Sequence, residues 1–200
     1  MTDTAIELGR RERKKLETRR ALRDAALRLV AERGPDDVSV EDIAEEADVS
    51  VRTFFNYFSS KEDALFGWDP EALEAITEAV VSRPANESPF KALRAVLRGF
   101  FDEVEAPSWA DQRALRHQLL HRHPSLLPRF LATHHQMDEA LLRGLVTRLG
   151  EESLYARLVV TTTSGAMRLT LSHWEATGRK QPVTDLLDEA FDTIERGLKK

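Results

Sequence analysis

The stretch VSVEDIAEEADVSVRTFFNYFSSKEDAL, Val38 to Leu65, constrains this chain more than any other. Val40, Ile43, Ala44 and Ala47 form one short apolar stripe at helical spacing, and Val51, Phe54, Phe55 and Phe58 form a second. Ala47-Asp48-Val49 leaves room only for a tight turn between them, and helices joined that way cross steeply. Ser39 stands where an N-cap should, with Asp42 three residues on to close a capping box. Ser50 does the same for the next helix, where its hydroxyl can accept from the N–H of Arg52 or Thr53. The small Ala44 and Ala47 let the helices approach, and Ile43 and Val49 fill the angle between them.

A helix from Val51 to about Tyr57 is roughly 10 Å long. That suits a DNA major groove about 12 Å wide. Aromatics at helical spacing are usually core, so Phe54, Phe55 and Phe58 are expected inside. Val51, Arg52, Thr53, Asn56 and Tyr57 then face outward. Arg52 can bond guanine O6 and N7, and Thr53 or Val51 can touch a thymine methyl. Tyr57, Ser39 and Lys61 are placed for phosphates. The DNA-binding candidates are therefore Ser39, Ser50, Val51, Arg52, Thr53, Asn56, Tyr57 and Lys61.

The acidic half of the segment does not exclude a polyanion. Ten basic against six acidic residues put positions 1–33 at +4, so the rest of the chain carries −9 of the net −5. A basic front on an acidic body points to a polyanion partner at one end. Glu45, Glu46 and Asp48 can face away from the groove, with affinity coming from Arg52, Lys61, helix N-termini and the basic first helix.

Thr18–Phe66 resembles the N-terminal domain of the TetR family of transcriptional regulators. The matching residues are Ala25-Ala26, Leu29, Gly34, Ser39, Val40, Ile43-Ala44, Ala47, Val49-Ser50, Thr53, Phe55, Tyr57-Phe58, Lys61-Glu62 and Leu65. Arg52 stands where many members have glycine, and Phe55 where many have tyrosine. The RTFFNYFSSKED form is similar to a branch that includes mycofactocin-type regulators. The resemblance implies a homodimer on a pseudo-palindromic DNA operator, most often a repressor released by a small ligand. Its two recognition helices would sit roughly 34–36 Å apart, one DNA turn.

The remaining pattern is helical too. Leu22, Ala25, Ala26, Leu29 and Val30 trace one amphipathic face, stopped by Gly34-Pro35. Further helices are expected at Lys61–Trp68, Glu71–Arg83, Phe90–Glu105, Trp109–Arg122, Leu126–Leu149, Ser153–Thr177 and Thr184–Leu198. The fold expected is all-α, with a disordered basic arm over 1–15, a helix-turn-helix domain over 16–68 and a ligand-binding and dimerisation domain over 69–200. Nothing in the N-terminus resembles a secretory signal, and no run nears the ~18 apolar residues of a membrane span. The chain has no cysteine, so disulfides and thiolate metal sites are excluded. A cytoplasmic protein is expected.

Chemistry-bearing motifs are sparse. His117 and His121 lie four apart, with His123 following and His134-His135 further on, but no third carboxylate completes a zinc site. No metal and no cofactor are expected. No G-x-G-x-x-G, phosphate-binding loop, G-x-S-x-G or H-E-x-x-H points to an enzyme. A DNA-binding regulator that needs no ligand is the alternative, and an enzyme a distant one.

A mostly apolar or acyl-type effector is expected between the helices from Phe90 to Thr177. Apolar lining would come from Phe100, Phe101, Val104, Leu119, Phe130, Met137 and Leu141, and polar anchors from Gln118, His121, His134 and Thr162. By resemblance, the last two helices pair with their two-fold mates through Leu169, His173, Trp174, Leu187 and Phe191.

Overall fold

In the computed structural model, residues 9–104 and 107–198 are described, without the side chains of 11, 12, 101–104 and 107–110. The described residues form ten α-helices, one short 3-10 turn and no strand: α1 Arg10–Arg33, α2 Val40–Glu46, α3 Val51–Phe55, α4 Lys61–Phe66, α5 Pro70–Val81, α6 Pro89–Val104, α7 Pro107–Arg122, α8 Leu127–Leu149, α9 Leu154–Ala176 and α10 Val183–Glu195. The fold is all-α, as the sequence periodicity required. Helix α1 already starts at Arg10, so the arm expected to be disordered over 1–15 is helical from there on; residues 1–8 lie outside the described residues.

The chain divides into two compact units. One takes the residues up to Gly67 together with Leu115–Phe130; the other takes Trp68–Ala114 and Leu131 onward. Leu22, Ala26, Leu29, Ile43, Phe54, Phe58 and Leu65 build the first core. Leu119 and Leu126 are buried in it, which is why 115–130 joins this unit although sequence order places it in the domain expected over 69–200. Polar contacts fix the insertion. Arg116 Nε donates to the Leu65 carbonyl at 2.7 Å, Arg129 pairs with Asp63, and Phe130 meets Phe66 edge-on at 5.7 Å.

In the second unit, Leu93, Leu97, Leu141, Leu145, Val160, Leu187 and Phe191 form the core. Helix α5 is held against α8 at close quarters. A Cβ on Gly144 would lie 2.6 Å from Val80 Cβ and 2.9 Å from the Thr77 carbonyl oxygen. The Thr77 hydroxyl donates to the Ala140 carbonyl at 3.0 Å, and the Arg148 guanidinium donates to the carbonyls of Arg83 and Pro84 just past the end of α5. A cation there also complements the negative end of the helix dipole.

Candidate nucleic-acid interface and ligand cavity

The turn between α2 and α3 has the geometry its length demanded. Asp48 N–H donates to Glu45 O at 3.0 Å, and Val49 N–H to Ala44 O at 2.9 Å. This bond pair is the Schellman stop, with Asp48 at φ 52 in the left-handed position usually held by glycine. Both N-caps are present. Ser39 Oγ accepts from Asp42 N–H at 3.1 Å while Asp42 Oδ2 accepts from Ser39 N–H at 2.8 Å. Those bonds from Ser39 hold the Asp42 carboxyl below its ordinary range. Ser50 Oγ accepts from Thr53 N–H at 3.1 Å.

Helix α3 turns Arg52, Phe55, Asn56 and, just beyond it, Ser59 to solvent, an i, i+3, i+4, i+7 face. Arg52 and Asn56 are thus exposed as read from the sequence. Phe55, expected in the core, is 56% exposed, because Phe54 and Phe58 fill the interior and leave its ring no room. Val51 and Tyr57, expected to face outward, are half-buried and packed against the first core. Thr53 is half-buried too, its hydroxyl 2.8 Å from that of Ser50. Ser39 and Ser50 are exposed, but their hydroxyls serve as caps. Lys61, read as a phosphate holder, donates to the Val38 carbonyl at 2.9 Å and to the Pro35 carbonyl, bracing the segment before α2.

Arg19 was missed by sequence reasoning, which counted it only as charge. Its side chain is buried, donates to the Tyr57 carbonyl at 3.4 Å and lies over the Phe58 ring at 4.7 Å. It fixes the chain just after α3. The acids that face this unit's surface are partly neutralised from α1: Arg28 pairs with Glu46, and Arg33 lies 3.9 Å from Asp42.

The second unit holds a cavity of about 520 Å³. Trp68, the small residues Ala72, Ala75 and Ala79 with Ile76 of α5, and Ala95, Val96, Leu97, Gly99 and Phe100 of α6 line it, with Met137. The small side chains are what leave space between the two helices. Arg83 is the charged residue in this lining, and it pairs with Glu87. Trp68 spends its indole N–H on the Thr133 carbonyl at 3.0 Å, so it offers a ligand its ring only.

Of the ligand candidates, the cavity brings together Phe100 and Met137. Leu119 and Phe130 belong to the first core, and Leu141 is sealed in the second. Gln118, His121 and Thr162 are exposed, and His134 is half-buried outside the cavity lining. The side chains of Phe101 and Val104 lie outside the described residues. Sequence reasoning missed α5 as a wall. Its signal was the alanine series at 72, 75 and 79, which leaves volume rather than filling it.

The expected dimer face splits as well. Leu169 is 69% exposed and His173 is exposed, but Trp174, Leu187 and Phe191 are buried within the unit. Trp174 Nε1 donates to the Gln181 carbonyl at 2.8 Å, and Phe191 packs edge-on against Phe90. Leu154, Tyr155 and Leu158 are exposed on the same face of α9 as Leu169. Among the described residues no group of three His, Asp or Glu side chains is arranged to hold a metal ion, and no helix is long and apolar enough to cross a membrane.

Comparison with known proteins agrees with this geometry. Residues 22–66 match the model for bacterial regulatory proteins of the tetR family, and residues 87–199 match the MftR C-terminal domain. The HTH-type transcriptional regulator TcmR of Streptomyces glaucescens is 33% identical over 174 residues, covering 83% of this chain and 76% of TcmR. MftR of Mycobacterium tuberculosis, named for regulation of mycofactocin biosynthesis, is 27% identical over 190 residues, 93% of each chain. Among solved structures, Thermus thermophilus FadR, a repressor in complex with lauroyl-CoA, superposes with a TM-score of 0.56 at 22% identity, covering 91% of this chain and 95% of its own. With both halves matched and a relative of this identity spanning most of its length, the chain belongs to the TetR family of transcriptional regulators.

Proposed function

We propose that this regulator is a homodimeric repressor that reads a two-fold symmetric operator with α3 and leaves it when an apolar-tailed ligand fills the α5–α6 cavity. The outward face of α3 carries the reading: Arg52 and Asn56 stand exposed at the end of a rigidly capped helix-turn-helix. Both are side chains that make bidentate contacts to bases, Arg to guanine and Asn to adenine. The dimer forms through the exposed face of α9, where Leu154, Leu158 and Leu169 lie along one side.

The cavity lining supports a ligand that is mostly hydrocarbon, with one acidic end. Among the described residues its walls offer carbon almost everywhere and a single guanidinium, that of Arg83. Arg83, then Arg148 and Lys91, act on the one carboxylate of Glu87 and hold it below its ordinary range. Arg83 does so foremost, through a hydrogen bond. The Arg83 guanidinium at this wall favours an anionic head. The lauroyl-CoA in the Thermus FadR is a compound of this kind. The ligand would act on α5, which follows α4 with only Gly67, Trp68 and Asp69 between. Moving the population from 1:99 to 99:1 takes a preference of about 5.5 kcal/mol for the released state.

The test is selection from random duplexes by the purified full chain, then release of the selected DNA by dodecanoate, lauroyl-CoA and dodecanol. The reading expects a symmetric site, loss of about 1–3 kcal/mol for Arg52→Ala with relaxed preference at one base pair, and release by the two anionic compounds. Release by none of the three, with DNA binding intact, would favour a regulator that needs no such ligand.

A further inference from the structure

We propose that Phe55 is a specificity-determining residue that reads the 5-methyl group of thymine in the major groove. This rests on α3 being the DNA-reading helix. The ring is 56% exposed on the face that also carries Arg52 and Asn56. Val51 and Thr53, the other candidates for a methyl contact, are half-buried, and the Thr53 hydroxyl is engaged with Ser50. The phenyl ring is therefore the large apolar group that this face presents.

Its position is fixed before any DNA arrives. Phe55 stands edge-on to Phe54, with centroids 5.5 Å apart and planes at 87°. Phe54 is itself fully buried and packs on Phe58 at 5.7 Å. A side chain held this way loses little freedom on binding. A phenyl ring neither donates nor accepts a hydrogen bond, so phosphate oxygens and the polar base edges offer it nothing. The apolar group that bases display in the major groove is the thymine methyl. Asn56, next to it, carries the amide that suits adenine N6 and N7. Phe55 and Asn56 together suit A·T, while Arg52 suits guanine.

The experiment uses the full chain as wild type, Phe55→Ala, Phe55→Leu and Arg52→Ala. Duplexes are selected from a random pool, and the selected sites are remade with deoxyuridine at single thymines, which removes only the methyl group. At one thymine per half-site, wild-type affinity should fall about fourfold, the worth of one buried methyl-sized group. Phe55→Ala should bind thymine and uracil sites equally, and Phe55→Leu should retain part of the preference. Because Phe55 is exposed, Phe55→Ala should keep the wild-type far-UV circular dichroism.

Unchanged wild-type affinity at every deoxyuridine position would overturn the proposal. So would a Phe55→Ala protein that stays as sensitive to the methyl group as wild type. Equal weakening of Phe55→Ala on selected and random duplexes, without methyl sensitivity, would place the ring on the sugar-phosphate backbone and overturn it too. If wild type enriches no sequence, or Arg52→Ala alters neither the selected site nor its affinity, the reading of α3 itself falls, and this inference with it.

Discussion

Lys61 shows how a residue with the right charge in the right place can be occupied elsewhere. Its ammonium group reaches back to two carbonyls before α2 and so braces the first unit. Lys61→Met should lower stability by about 1.5–3 kcal/mol, the range for hydrogen bonds to a charged group. The salt dependence of operator binding should stay as it was, whereas losing a phosphate contact would reduce the log–log slope by about 1. Urea denaturation and a salt titration of DNA binding separate the two. Arg19 makes the same point from burial: a cation within the basic front works in the interior, on the Phe58 ring and the Tyr57 carbonyl.

At the scale of elements, two helices hang on single positions. Gly144 lets α8 meet α5 where a Cβ would lie 2.6 Å from Val80 Cβ. Gly144→Ala should therefore cost about 1–3 kcal/mol through overpacking, despite alanine's better helix propensity. Because α5 walls the cavity, the same variant should change dodecanoate affinity, measurable by titration calorimetry.

Helix α4 depends on Asp63. Burial alone would raise its carboxyl, but bonds from the Ser59 N–H and hydroxyl, together with Arg129, bring it below its ordinary value. A depressed folded value contributes stability that is present above the unfolded value near pH ~4. That stability is lost as pH falls through the folded value. Wild type should lose stability in that acid range, and Asp63→Asn should be less stable near pH 7 and flatter below pH ~4. Urea midpoints followed by circular dichroism across pH give the comparison.

For the whole molecule, the surface that matters to the proposed dimer is the side of α9 that the described residues leave uncovered. Leu154, Leu158 and Leu169 are 75%, 54% and 69% exposed on one face, an arrangement that calls for a partner. Leu169→Glu should shift the protein toward monomer in sedimentation velocity and weaken operator binding, while leaving the fold intact. Phe191→Ala should do the opposite. It removes a fully buried ring and should cost about 3–5 kcal/mol of folding stability without first dissociating a dimer. Thr162, offered by sequence as a ligand anchor, is exposed on that α9 face too.

The sequence by itself determined what is local. Helical periods, the three-residue turn and the Ser39 and Ser50 caps followed from neighbours within a few residues, since caps and turns are closed by short-range bonds, and the family was legible as a resemblance over Thr18–Phe66. It also exposed Arg52 and Asn56 correctly. What it could not decide was which distant surface covers each apolar stripe. Phe54, Phe55 and Phe58 have the same chemistry and share helical spacing, yet the interior accommodates two of them. Trp174, Leu187 and Phe191 look like an interface until Phe90 and the rest of the second core are seen to bury them. Leu119 and Phe130 look like pocket lining until they are found with the first unit, and the cavity opens instead where alanines fail to fill space along α5. Burial depends on packing between residues far apart in the chain, and periodicity carries no information about the partner.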